Sequence, residues 1–342
     1  MAALEPCPLC GSRNAAVVTG RMDDVAMPVY TRVLRHQMGA EFSKVVSTMH
    51  TLECNTCGLL YRSPYFSMSS MARLFVDGTP VHKMGWSNLR ASLMQPPAGG
   101  YCAPLQLWDL LKRRLTAIER YAEFGCPFQG FLVARAAEAE SRTRLRRHLT
   151  RRWRQPYLDR AGGKSALAHA CANVVVPVPG LGRIGRGRVT ASRVFGATRN
   201  FVVMDGTATR WGSNCVMYGS TCWQTAAQFG DVEVMARDDL TAEMGGRKLS
   251  LLAFFDTLDH CSDLAGTVRW ALDVADAVLI VNHRPAEAAL QHRIALTPRA
   301  LRYMAESRPR WRATDLASEG HSFLGDSHHW FLLQREPSTV PE

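Results

Sequence analysis

The sequence predicts an α/β protein in two parts. A β-rich module built on paired cysteines comes first, then a doubly wound, Rossmann-like sheet broken by a long basic insertion. Three observations carry that expectation. Two Cys-x-x-Cys-Gly pairs stand near the front of the chain, at Cys7/Cys10 and Cys54/Cys57. From about residue 116 to 336, β-prone runs alternate with helix-patterned runs, as in a parallel sheet with crossover helices. Asp and Gly cluster just after the expected strand ends, where open α/β sheets bind their ligands.

The chain of 342 residues is long enough for two domains and a sizeable core. With 46% hydrophobic and 21% charged residues it reads as globular rather than disordered. No apolar run approaches the ~20 residues needed to span a bilayer. No basic stretch followed by an apolar one opens the chain, so no secretory leader is expected. These features point to a cytoplasmic, thiol-reducing compartment without membrane partners. The ten cysteines there serve as metal ligands and buried thiols rather than disulfides.

By composition, residues 1–64 form the cysteine module, 65–115 a helical linker and 116–336 the α/β domain, with its insertion at about 140–200. Runs 15–19 and 44–48 read as strands, and 105–115 as an amphipathic helix. In the α/β domain, 120–124 reads as the first strand, ending in a Gly-containing turn, with a helix from Gly130. The second strand is expected at 215–219, followed by a helix at 223–229. Later strands are expected at 232–236, 249–255, 277–282 and 329–334, with helices at 264–274 and 298–306.

Zinc prefers four soft ligands in a tetrahedron, and Cys-x-x-Cys lets one tight turn present two thiolates to the same ion. A Gly follows the second Cys of both pairs, at Gly11 and Gly58, as in knuckle turns. Cys7, Cys10, Cys54 and Cys57 are therefore expected to hold one structural Zn2+, with a β-hairpin inserted between the pairs. The remaining cysteines have no such pairing and read as ordinary thiols.

The formal charge is +11. Much of it lies in one run, Arg142, Arg144, Arg146, Arg147, Arg151, Arg152 and Arg154. Such a run suits phosphates, on nucleic acid or on a nucleotide-linked substrate, or it is a solvated helix face. No aromatic stacking pattern accompanies it, so nucleic acid is not favoured as a partner.

Four stretches carry a resemblance to a family. They are Cys54-Asn-Thr-Cys57-Gly58-Leu-Leu-Tyr61-Arg62-Ser63-Pro64, the run from Ala122 to Leu132 with Gly125 and Gly130, Phe254-Phe255-Asp256-Thr-Leu258-Asp259-His260, and the run from Gln291-His292 to Thr297-Pro298 and Leu301. Their order and spacing resemble class I S-adenosylmethionine-dependent methyltransferases with an N-terminal zinc ribbon, many of which act on sugars or small metabolites. The resemblance covers most of the chain outside 135–200.

It implies S-adenosylmethionine as cofactor. Glu123, at the first strand end, would accept from the cofactor's ammonium group. Gly125 and Gly130 would let backbone approach closely, and the helix starting near Gly130 would offer free N–H groups to the carboxylate. Asp238, after the third strand, would meet the adenine amine, and Asp256, after the fourth, would line the cleft near the methyl. The family's Gly-x-Gly-x-Gly stands here as Gly125-Cys-Pro127-Phe-Gln129, followed by Gly130. The acid that grips the ribose is replaced by Thr221, with Asp205 or Asp239 as the alternative to take its role.

His292 and His260 fall where a neutral imidazole would act as general base toward the acceptor. His328 and His329 read as a surface pair before the last strand. Gly180-Leu-Gly182-Arg-Ile-Gly185 imitates a dinucleotide fingerprint, but Pro177 and Pro179 interrupt the strand it would need.

The expected function is methyl transfer to a small polar acceptor such as a sugar or nucleotide-linked, phosphate-bearing metabolite. Two other readings stay open: a methyltransferase fold kept as a non-catalytic binding module, and a nucleic-acid modifier or binder using the arginine run.

Overall fold

Two sheets organise the backbone, and both depend on where the sequence places its buried runs. The computed structural model describes residues 5–21, 32, 35–36, 38–67, 102–125, 131, 199–204, 232–255, 257–261, 263–287, 292–316 and 328–336. In chain order these hold β1 (Ala15–Val18), α1 (Ala40–Thr48), β2 (His50–Cys54), β3 (Leu60–Ser63), α2 (Cys102–Arg114) and β4 (Arg120–Gly125). There follow β5 (Arg199–Met204), β6 (Val232–Ala236), α3 (Arg237–Met244), β7 (Leu251–Phe255) and α4 (Leu264–Val274). The chain continues through β8 (Ala277–His283), β9 (Ile294–Ala295), α5 (Pro298–Glu306), β10 (Trp311–Asp315) and β11 (His328–Arg335).

The larger sheet has the order β6-β5-β4-β7-β8-β11-β10. Its first five strands are parallel, and β11 and β10 close the edge antiparallel. From β4 the chain builds outward through β5 and β6, then crosses to β7 and β8 on the other side. The switch point therefore lies between β4 and β7, at the carboxyl ends marked by the partners Gly125 and Phe255. In doubly wound sheets the ligand crevice sits at that place. The interior strand β8 reads Ala-Val-Leu-Ile-Val-Asn-His and is buried on both faces through Asn282, which is why it shows no polar alternation.

The helices follow from pattern and caps. In α4, Leu264, Val268, Ala271 and Leu272 face the core, and the Asp263 side chain accepts from Gly266 N–H at the first turn. In α5, Thr297 caps the helix by accepting from Ala300 N–H, Pro298 opens it, and Ala300, Leu301, Met304 and Ala305 are buried. In α2, Lys112, Arg113 and Arg114 occupy the last turn, where cations suit the helix dipole.

The smaller sheet has the order β1-β2-β3-β9 and is antiparallel throughout. Its fourth strand, β9, comes from far along the chain and pairs Leu60 with Ala295 and Tyr61 with Ile294. One apolar cluster joins the two sheets. It includes Leu9, Leu52 and the cysteines of the front module together with Phe254, Ile280, Leu301 and Phe331.

Three expectations change. Run 44–48 is not a strand but the second half of α1: it continues the helix anchored by buried Phe42, and its own residues are mostly exposed, so they have no half-buried pleated surface for β-propensity to act on. The stretch between the cysteine pairs thus contains a helix as well as the β1–β2 pairing, not a hairpin alone. Finally, the strand between β4 and β6 is Arg199–Met204, whose Phe-Val-Val-Met run sits at the end of the stretch read as insertion. Run 215–219, expected in that position, lies outside the described residues, as do the helix expected at 223–229, the arginine run and the Gly180–Gly185 motif. Among the described residues, no helix is long and apolar enough to cross a membrane.

Candidate active site and cysteine cluster

Each cysteine pair forms a knuckle of the same build. Gly11 N–H donates to Cys7 C=O at 2.9 Å, and Gly58 N–H donates to Cys54 C=O at 2.8 Å. Cys7 N–H reaches Ser12 C=O and Cys54 N–H reaches Leu59 C=O, both at 2.9 Å. Closing these turns needs left-handed backbone after the second Cys, and Gly11 and Gly58 supply it with φ of 74° and 75°. The four Sγ atoms lie within 4.8 Å of one another. Cys7 approaches Cys57, and Cys10 approaches Cys54, at 3.5 Å. A zinc tetrahedron with Zn–S near 2.3 Å requires sulfur separations of about 3.8 Å, so the arrangement fits that ion. Contact with Cys57 holds the Cys7 thiol down to about 5 against the opposing effect of burial, the same contact pushes Cys57 up, and burial pushes Cys10 up to about 11. Thiols this close share protons; a divalent cation would replace them.

The second knuckle is fastened to the α/β domain. Thr297 Oγ1–H donates to Gly58 C=O at 2.8 Å while capping α5, and the Arg299 guanidinium donates to Asn55 C=O. The aliphatic stem of Arg299 lies where a side chain on Gly58 would stand, 2.6 Å from Cδ.

At the carboxyl end of the larger sheet, a row of buried polar groups gathers. Asp259 sits in a short turn (Leu258–His260) just after β7, and His292 lies two residues before β9. They are 1% and 5% exposed, and His292 Nδ1 is hydrogen-bonded to Asp259 Oδ2. An ionised carboxylate only accepts, so a neutral imidazole facing one carries its proton on Nδ1. The His292 ring packs edge-on against His283, the last residue of β8, with centroids 4.9 Å apart. His283 in turn packs against His328, its cross-strand partner on β11, at 4.4 Å. Tyr65, half-buried just past β3, has its phenol pushed up by burial first and then by the Asp259 charge, against the opposing pull of Arg62 and Arg293.

On the other side of the switch point, Glu123 is 2% exposed in β4 and accepts from Tyr121 Oη–H at 2.7 Å. Tyr121, Trp108 and Phe131 pack ring on ring, and Phe131 also meets Phe255 edge-on at 5.1 Å. Asp238 stands in the first turn of α3, directly after β6.

The structure thus brings together the four expected cysteines. It places Glu123 and Gly125 at the end of β4 and Asp238 beyond β6, and it pairs His292 with a carboxylate. His260 belongs to the Asp259 turn by its backbone. Gly130, Thr221 and Asp256 lie outside the described residues. His328 was expected at the surface and is instead 7% exposed, because β11 begins at that residue and pairs it against His283. Asp259, His283 and Arg62 were not singled out as site residues. The signal for Asp259 was present: it stands in the quoted Phe254–His260 motif just past a buried strand.

No family model matches the chain, and no curated protein matches it. Solved structures are similar only distantly. A mutant of MtNAS in complex with S-adenosylmethionine matches at TM-score 0.35 and 9% identity, over 79% of this chain and 78% of that one. The small RNA methyltransferase HEN1 matches at TM-score 0.33 and 11% identity, over 69% of this chain and 26% of its own. A protein from Klebsiella pneumoniae described as an O-methyltransferase matches at TM-score 0.31 and 12% identity, over 79% of this chain and 96% of its own. At such distances no function is transferred, and the reading below rests on strand order and on the residues themselves.

Proposed function

We propose that the protein is an S-adenosylmethionine-dependent methyltransferase acting on a small polar acceptor, such as a sugar or nucleotide-linked metabolite, with a structural zinc in its front module. The observation that carries the reading is the Asp259–His292 pair at the carboxyl end of a doubly wound sheet, beside its switch point.

The chemistry of the donor set fits the cofactor. Acids stand at or just after three neighbouring parallel strands: Glu123 in β4, Asp205 as the residue following β5 in sequence, and Asp238 after β6. That order suits an ammonium group, a ribose diol and an adenine amine laid across the strand ends. With Arg199–Met204 as the second strand, Asp205 replaces Thr221 as the ribose-binding acid. Gly125 ends β4 opposite Phe255, where backbone must come close, and Gly130 precedes the helical, buried Phe131. When bound, S-adenosylmethionine supplies an electrophilic methyl group on sulfonium sulfur.

The protein's own residues then orient the acceptor and take its proton. His292 Nε2 would take the acceptor's proton, and Asp259 would stabilise the imidazolium that results. His260, the last residue of the same turn, and Asp256, which precedes it in sequence, would border the acceptor. Cys7, Cys10, Cys54 and Cys57 hold zinc away from this chemistry.

Calorimetric titration with S-adenosylmethionine tests the reading. Micromolar binding is expected, abolished by Gly130→Val with zinc retained. Glu123→Ala should weaken it by about 1.5–3 kcal/mol, roughly ten- to a hundredfold. No binding at millimolar cofactor would leave the domain a scaffold. Salt-sensitive RNA or DNA binding that disappears when Arg146, Arg147, Arg151 and Arg152 become Ser would favour the nucleic-acid reading instead.

A further inference from the structure

An arginine is buried where the front module meets the dyad. Arg62, in β3, is 1% exposed and among the largest fully buried side chains. Arginine is seldom buried so completely unless its charge is used. Its Nη1–H donates to the backbone C=O of His292 at 2.6 Å, across 230 residues of sequence. Its own N–H donates to Arg293 C=O at 2.9 Å. One guanidinium and one peptide group thus clamp residues 292 and 293 just before β9 pairs with β3.

The clamp acts on the residue whose ring faces Asp259. The His292 ring hangs from the peptide that Arg62 holds, so the direction of Nδ1–H toward Asp259 depends on that hydrogen bond. The carboxylate and the guanidinium thus both act on His292, one through its ring and one through its backbone carbonyl. The groups shown against the imidazole are Asp259 and His283, with His328 beyond His283 and the Arg62 guanidinium on the His292 backbone carbonyl. A second tie runs in parallel: Arg293 Nη2–H donates to Glu5 Oε2 at 2.7 Å, and Glu5 N–H donates to Ser63 Oγ.

We propose that Arg62 is a positioning residue for His292, so that the cysteine module reaches beyond its metal and holds the general base in place. The proposal rests on the reading of His292 as the base, but the placement can be tested without any acceptor. Lysine at this position keeps the charge and loses the fixed planar donor fork, while methionine fills the space without charge. Side-chain 15N spectra of the histidines, recorded at one pH on zinc-loaded protein, report which nitrogen of His292 is protonated.

The wild type is expected to show a single Nδ1–H form. Arg62→Lys and Arg62→Met are expected to show a mixture of forms, with zinc content and S-adenosylmethionine affinity unchanged within twofold. Once an acceptor is known, kcat should fall about ten- to a hundredfold, with the KM for cofactor unmoved. An unchanged His292 spectrum in both variants overturns the proposal, whatever the activity. Loss of zinc or of soluble protein in both also overturns it, since Arg62 would then serve the fold alone. A protein whose wild type binds no cofactor would refute the proposed function and still leave the histidine spectra to decide on Arg62.

Discussion

Replacing Asp259 by asparagine isolates what the carboxylate does for His292. The two side chains match in volume, so no cavity opens, and both partners are buried, so water does not fill in. What is lost is a charge-assisted hydrogen bond, worth about 1.5–3 kcal/mol. Applied to the two neutral forms of the imidazole, that energy favours Nδ1–H over Nε2–H by roughly ten- to a hundredfold. An asparagine amide can offer either its oxygen or its NH2 to Nδ1, so the preference collapses or reverses. Nε2 is then protonated in much of the population and is no base. Histidine side-chain 15N spectra should show the change directly, and methyl transfer should fall by about a hundred- to ten-thousandfold, the usual weight of general-base catalysis. Circular dichroism should be unchanged. If Asp259→Asn keeps His292 in the Nδ1–H form, or transfers methyl at the wild-type rate, the dyad does not work as described.

Metal analysis should find one zinc per chain, lost in Cys54→Ser; equal metal in both proteins would refute the four-cysteine assignment. Gly58→Ala should destabilise by about 1–2 kcal/mol from left-handed strain, plus the clash with Arg299, whereas Gly11→Ala, with the same φ but open space, should show the strain alone. Equal melting temperatures for the two would mean that Arg299 simply moves aside. Asn282 is 1% exposed, and its amide atoms have no hydrogen-bond partner among the described residues, so Asn282→Leu should raise stability by about 1–3 kcal/mol in urea melts. A loss instead would show that the amide is satisfied. Burial, and then Arg284, hold His329 below the ordinary imidazole value, so its neutral form is favoured by the fold. That contribution is complete above the unfolded value of about 6.5 and is lost as pH falls through the lower folded value. His329→Gln should therefore narrow the fall in melting temperature on acidification, and an unaltered pH dependence would count against it.

What was legible in the sequence follows a physical division. Helices α4 and α5 were read to the residue, because each combines a 3.6-residue apolar period with a cap written into the chain, Asp263 in one and Thr297-Pro298 in the other. The cysteine cluster was legible for a similar reason: a knuckle is a local structure whose ligands and glycine lie within five residues. The second strand was not, since Arg199–Met204 differs little from other short apolar runs until its parallel partners β4 and β6 are known. The two-residue β9 has no local signature at all and exists because β3 is there to receive it. In the site, His292 could be suspected from its sequence neighbours, but its pairing with Asp259 spans 33 residues and depends on where β7 ends. The histidine row fails the same way: His283 and His328 are neighbours only through the antiparallel return of β11.

The cysteine module is built into the carboxyl end of the sheet, and that has an energetic consequence. A separate zinc ribbon would return its metal-binding energy, which is folding energy, only to itself. Here Gly58, in the turn closed by Cys54, offers its carbonyl to Thr297, and Thr297 caps α5. The next strand, β3, hydrogen-bonds β9 and sends Arg62 to the His292 carbonyl. The segment from His292 to Thr297 is thus held at both ends by residues that the knuckle orders. It has only the short β9 as regular structure of its own, so its position is set by what it docks against. Ordering the knuckle therefore orders the segment that carries the imidazole. Disorder in that segment would in turn remove β9 from the smaller sheet and leave β3 as an unpaired edge. The coupling is reciprocal, as any equilibrium linkage must be. If the four cysteines hold zinc as proposed, its removal should be felt first at His292 and only afterwards in the parallel strands, whose core at β7 and β8 is packed on both faces.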